Sequence, residues 1–201
     1  MRWDDAEWQP WRPEEAFARL RRLSLPWYVA GGWAIDLFAG RQLREHEDLE
    51  VAVPAERFGE VAPALAELEL YAMGDGEVTA LSEPCGRLAD THQTWGLERN
   101  ANAWRIDVFR EPSADGEWVC RRDARIRLPY GELIEHTADG IPYARPEVVL
   151  LFKAKAARPK DEQDLRDVLP LLDERRRALL RDWLALVHPG HAWPALLGAA
   201  P

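Results

Sequence analysis

The chain is 201 residues long, 47% hydrophobic and 30% charged, with a net charge of -9. That balance excludes a disordered chain, and its acidic sign argues against a nucleic-acid partner, whose phosphates call for a basic surface. No apolar run reaches membrane-spanning length and no signal peptide is evident, so no membrane partner is expected and the cytoplasm is the default location.

The opening segment holds Trp3, Trp8 and Trp11, which suit packing better than chemistry. Pro13, followed by Glu14 and Glu15, starts a helix whose apolar face is Ala16, Phe17, Leu20 and Leu23. Trp27 to Ala30 is a short apolar run closed by Gly31-Gly32, a buried strand ending in a tight turn. Ala34, Ile35, Leu37 and Phe38 then give a helical stripe that Gly40 stops. Leu49, Val51 and Val53 alternate with Asp48 and Glu50, the pattern of a half-buried strand. Arg57 to Leu68 fits a helix within 54–70 that covers the sheet.

Residues 71–102 carry one clear turn, Gly74-Asp75-Gly76, and a polar stretch with His92, Trp95 and Arg99 to which no role is assigned. In Ala103 to Arg110 the acidic Asp107 interrupts an apolar strand, a costly placement unless something compensates the charge. Trp118 to Arg122 and Arg125 to Leu128 read as strands extending the sheet. Ile134 to His136 and Ile141 to Tyr143 read as a hairpin with an Asp-Gly turn. From Pro146 the pattern is helical, with a break at Pro159 and two further amphipathic segments to Val187. Cys85 and Cys120 give neither a metal-ligand spacing nor a disulfide framework.

The chemistry concentrates in two places. Asp48 and Glu50 are predicted to project from one strand face, roughly 7 Å apart along the backbone. Such a pair calls for a cation, and a divalent metal such as Mg²⁺ suits carboxylate oxygens; a solvated edge strand has the same pattern. Upstream, Gly31 and Gly32 leave room for a ligand at the backbone, and helix-start amides cradle phosphate oxygens. A phosphate cradle and a metal-binding pair are what nucleotidyl transfer from a nucleoside triphosphate requires. Arg44, in the loop between them, can grip phosphate in a fork or bridge to Glu45 or Glu47.

The string GGWAIDLFAGRQLREHEDLEVAV resembles the signature of the polymerase-beta-like nucleotidyltransferase superfamily, and within it the small aminoglycoside and lincosamide nucleotidyltransferases. The resemblance implies an α+β fold: a nucleotidyltransferase-type mixed sheet with covering helices over 1–145, then a helical C-terminal domain over 146–201. It implies transfer of a nucleoside monophosphate, AMP from ATP in the first instance, to a hydroxyl of a small-molecule acceptor, with Mg²⁺. Asp48, Glu50 and Asp107 would be the metal ligands and catalytic acids, with Asp107 the general base. Gly31, Gly32, Arg44, Lys155 and Lys160 would hold the triphosphate. The run ARPEVVLLFKAKAARPKDEQDL also resembles abortive-infection relatives, with Lys155, Arg158, Lys160, Asp161 and Asp164 on their basic-acidic element. Lys153 and Lys155 fall on different helix faces, which favours one of them, Lys155, pointing inward.

One position departs from the better-known resistance enzymes, which carry Asp where this chain has Glu50. The longer side chain displaces a bound metal and could shift the preference to Mn²⁺. Two alternatives follow: a nucleotide- or ligand-binding protein of the same fold with reduced or lost catalysis, and a toxin-like tRNA nucleotidyltransferase, against which the acidic charge argues. The acceptor and the oligomeric state are not encoded legibly.

Overall fold

The computed structural model describes residues 5–81 and 90–198; Trp3 and Cys85 lie outside them. A two-residue strand, β1 (Glu7–Trp8), precedes α1 (Pro13–Leu20). Proline gives up only an N–H that a first helical turn leaves unpaired, and the Glu15 carboxylate accepts the Arg12 N–H at 2.8 Å. β2 (Tyr28–Val29) runs directly into α2 (Gly31–Ala39), which ends at Gly40 in the left-handed conformation, φ 69°. The predicted turn and helix are thus one element, with Gly31 and Gly32 as its first residues. β3 (Glu50–Pro54) follows a loop from residue 41.

The helix expected within 54–70 is replaced by two 3₁₀ turns, Ala55–Glu60 and Ala62–Leu65. Pro63 has no N–H to sustain an α-helical ladder, yet Phe58, Val61, Leu65 and Leu68 are buried as their pattern requires. β4 (Glu69–Gly74) and β5 (Glu77–Ala80) form a hairpin, and β6 (Gln93–Glu98) and β7 (Ala103–Glu111) a second. β8 (Ser113–Ala114), β9 (Glu117–Val119) and β10 (Arg127–Pro129) make a separate three-stranded sheet rather than extending the main one. Pro112 cannot donate to the main ladder, and the chain reverses at Asp115-Gly116.

After a short helix, α3 (Tyr130–Leu133), the hairpin of β11 (Ile134–His136) and β12 (Pro142–Ala144) rejoins the main sheet beside β2. The order across that sheet is β11-β12-β2-β3-β7-β6-β4-β5, with β1 alongside the start of β7. Then come α4 (Pro146–Lys153), α5 (Pro159–Val168), α6 (Glu174–Val187) and α7 (Trp193–Leu196). Pro159 starts α5 rather than ending the preceding helix, which stops at Lys153. Asp173 caps α6 by accepting the Arg176 N–H at 2.8 Å.

One apolar core joins the strands to these last helices: Val51, Val53, Ile106 and Val108 belong with Leu150, Leu165, Leu184 and Trp193. Trp193 is fully buried, and its indole donates to Glu162 at 2.8 Å. A second, smaller cluster of Tyr71, Leu97 and Trp104 is separate from it. No helix among the described residues is long and apolar enough to cross a membrane.

Candidate active site

At the centre of the sheet β3 and β7 run parallel, with Glu50 directly opposite Asp107. Register partners on adjacent strands project from the same face, so the backbone alone sets two carboxylates side by side. Asp107 is 3% exposed. Its Oδ2 accepts a 2.7 Å hydrogen bond from Gln93 Nε2, while Oδ1 is buried without a hydrogen-bond partner. Burial pushes the Asp107 carboxyl well above the usual range, the Glu50 charge adds to that, and the Gln93 bond opposes it. The Glu50 carboxyl is pushed up to about 7, first by burial and then by the charge of Asp48, with Lys153 pulling the other way.

The strand begins at Glu50, and Asp48 sits half-buried in the loop ahead of it. The chain is pinned there because Ala30 donates to the Glu50 carbonyl and Asp107 to the Leu49 carbonyl, both at 2.8 Å. Its charge is nonetheless felt by both other acids. Among the described residues no three His, Cys, Asp or Glu side chains form a ready-made metal cluster.

The glycine pair is explained by what lies against it. Gly31 has φ 58°, and a Cβ there would collide with the Glu50 carboxylate; one on Gly32 would collide with His46 and Arg44. His46 Nε2 lies 2.6 Å from Asp36 Oδ2 with both side chains almost fully buried, which fixes the loop against α2. Arg44 makes a forked pair with Asp164, 2.8 Å from Nε and 3.0 Å from Nη2, and donates to the Glu45 carbonyl. Its guanidinium thus ties the loop to α5. Lys160 pairs with Glu47 at the surface, 3.1 Å apart.

A cavity of about 330 Å³ opens between the sheet and α4. Glu50 and Gly31 form one end, with Lys153, Lys155 and Arg158 beside them. Both lysines line it, contrary to the expectation that one would, because the helix stops at Lys153 and the following turn carries Lys155 round. Lys153 is pinned between Asp161, 3.3 Å away, and Asp164, 2.8 Å away. Lys155 is exposed. Arg121, also in the lining, lies over the rings of Phe109 and Phe152, 5.2 and 4.7 Å from their centroids, and is paired with buried Glu111.

Sequence reasoning assigned no role in the site to Gln93, Trp95, Glu111, Arg121 or Phe152, and set Lys153 aside in favour of Lys155. Gln93 and Trp95 were detectable only through strand pairing, since their importance comes from lying across from β7. For Arg121 there was no local signal.

The family model for aminoglycoside-2''-adenylyltransferase matches residues 14–111, which run from α1 through both acidic strands. Curated 2''-aminoglycoside nucleotidyltransferases of Escherichia coli and Klebsiella pneumoniae are each 35% identical over 72 residues, 36% of this chain. The matched stretch is 41% of those relatives' own length. The crystal structure of ANT(2'')-Ia in complex with adenylyl-2''-tobramycin superimposes with a TM-score of 0.57 at 18% identity, covering 86% of this chain and 95% of that one. Lincomycin-bound LnuA, a lincosamide antibiotic adenylyltransferase, gives 0.51 at 16% identity over 77% of this chain and 90% of that one. The chain thus shares the fold of these two adenylyltransferases, and over 72 residues its sequence is similar to the 2''-aminoglycoside nucleotidyltransferases.

Proposed function

We propose that the protein transfers AMP from ATP to a hydroxyl of a small glycoside antibiotic, an aminoglycoside or a lincosamide, and releases pyrophosphate. The observation that carries this is the register pairing of Glu50 with Asp107, with Glu50 lining a cavity walled also by Lys153, Lys155 and Arg158. Two acids and a cationic wall are the opposing charges that nucleotidyl transfer uses.

A divalent cation fits the acids. Asp107 Oδ1 is buried without a partner, and burial raises both carboxyls towards their neutral forms, which a nearby cation would oppose. Asp48, Glu50 and Asp107 would hold Mg²⁺ or Mn²⁺, which supplies neutralising charge to the phosphate oxygens. Lys155 and Arg158 bind the β- and γ-phosphates, Lys153 keeps the wall in place through Asp161 and Asp164, and the amides at the start of α2, Gly31 and Gly32, complete the cradle. Arg44 and Lys160 serve the triphosphate indirectly, by holding the loop before β3 to α5. Asp107 takes the proton from the acceptor hydroxyl as its oxygen attacks the α-phosphorus and the bond to the departing pyrophosphate breaks. A soluble, intracellular enzyme acting on small molecules accords with this chemistry.

The test is pyrophosphate release with ATP and Mg²⁺ or Mn²⁺ over a panel of aminoglycosides and lincosamides, each product checked by mass for one added adenylyl group. Tight ATP binding with no product from any acceptor would make this a nucleotide-binding protein instead. Asp48→Asn is expected to abolish turnover and leave the circular dichroism spectrum unchanged; a variant that still turns over would remove Asp48 from the site.

A further inference from the structure

The second apolar cluster lies on the same face of the sheet as the acids, and the sheet is bent to put it there. Trp95 is the register partner of Asp107, and Tyr71 is in turn the partner of Trp95, so the row Glu50, Asp107, Trp95, Tyr71 crosses four strands on one face. Strict alternation would send Trp104 to the other face with Ile106 and Val108, into the main core. It does not, because the pairing shifts between Gly96 and Leu97: Gly96 faces Ile106, and the next residue, Leu97, faces Trp104. Arg105 is the extra residue of this β-bulge, and it turns Trp104 over to the acid face. Arg105 is itself held by Glu98 at 2.7 Å and by the Gln9 carbonyl at 2.6 Å, the latter just past β1.

The short β1 then lays Trp8 on the same cluster. Trp8 and Trp95 meet edge to face at 5.1 Å between ring centroids, Trp95 and Trp104 at 5.4 Å, and Tyr71 and Trp104 at 5.4 Å. Tyr71 and Trp104 are buried, while Trp8 and Trp95 are half-buried and supply the accessible part. The Trp95 side chain lies against Asp107 and favours its charged form. Two ion pairs flank the strip, Glu69 with Arg99 and Glu98 with Arg105.

We propose that Trp95 and Trp8 are the surface on which the acceptor's sugar ring stacks, placing one ring hydroxyl at Asp107. The occupant is a glycoside ring with an apolar C–H face toward the indoles and little charge on that ring. Three arguments converge on this. The strip is continuous with the proposed base through a direct strand neighbour. It lies on the opposite side of Asp107 from the strand that bears Glu50 and opens onto the cationic cavity, so nucleotide and acceptor would approach from different directions. Paired charges leave a neutral aromatic surface, suited to a ring and poor for an ammonium cluster.

The proposal rests on the transferase reading, and the experiment separates the two. Steady-state kinetics are measured for wild type, Trp8→Ala and Trp8→Phe, varying acceptor and ATP independently; calorimetric binding of the same aminoglycoside and lincosamide is measured without ATP. Trp8→Ala should raise the acceptor KM and Kd about fivefold to tenfold, the range of one lost aromatic contact, with kcat and the ATP KM unchanged and Trp8→Phe recovering most of the loss. Unchanged acceptor KM and Kd in Trp8→Ala overturns the stacking surface and leaves the transferase standing. Wild type that binds these glycosides but forms no product overturns the transferase, while the binding arm still decides the surface. Wild type that neither binds nor turns over any of them overturns both.

Discussion

Glu50 has two neighbours that explain it: Gly31, whose missing side chain makes room for the carboxylate, and Asp107, which faces it across the strand gap. Gly31→Ala should therefore be severe. The alanine is strained at φ 58° and its methyl collides with Glu50. A loss of roughly 2–4 kcal/mol in urea unfolding is expected, together with loss of turnover; near-native stability would show that Glu50 does not lie there. The raised Glu50 pKa fixes a pH dependence. A carboxyl that titrates near 4.5 when unfolded and at about 7 when folded holds its proton longer in the folded chain. Its contribution is then fully present below pH 4.5 and lost as pH rises through about 7. The melting temperature of metal-free protein should fall across that window, the fall should be reduced in Glu50→Gln, and Mg²⁺ should restore stability at the alkaline end. A melting temperature that is flat with pH and insensitive to Glu50→Gln would contradict the burial argument.

At the level of elements, the loop between α2 and β3 and the junction between α4 and α5 act together. Arg44, Lys153 and Arg158 converge on Asp161 and Asp164, both essentially buried. Removing Arg44 leaves the buried Asp164 with Lys153 as its remaining cation and takes away a forked pair of hydrogen bonds, so Arg44→Ala should cost about 1–3 kcal/mol; a change below about 0.5 kcal/mol would mean the pair is solvent-screened like a surface bridge. The sequence foretold the start of α1, the stop at Gly40 and the two acidic strands, because each carries a local signal: a proline, a glycine, an acid inside an apolar run. It misled where the decisive interaction is distant. Arg44 looked like a phosphate ligand because Asp164 is 120 positions away. The segment 55–65 kept its buried residues but not its helix, since Pro63 broke the ladder without altering the apolar pattern. Nothing in the sequence marks the bulge at Arg105 that turns Trp104 to the acid face.

For the whole molecule, the acid-bearing face of the sheet is divided at Asp107: the cavity with its cations lies on the β3 side, under α4, and the aromatic strip on the β6 side. Substrates of opposite character then meet at one pair of carboxylates. That Asp107 is the base at this meeting point is tested most directly by single-turnover transfer from labelled ATP to an accepted glycoside, comparing wild type with Asp107→Asn at saturating ATP. The account predicts a rate reduced by at least about a hundredfold with ATP affinity changed much less. A variant that adenylylates its acceptor at the wild-type rate would contradict it.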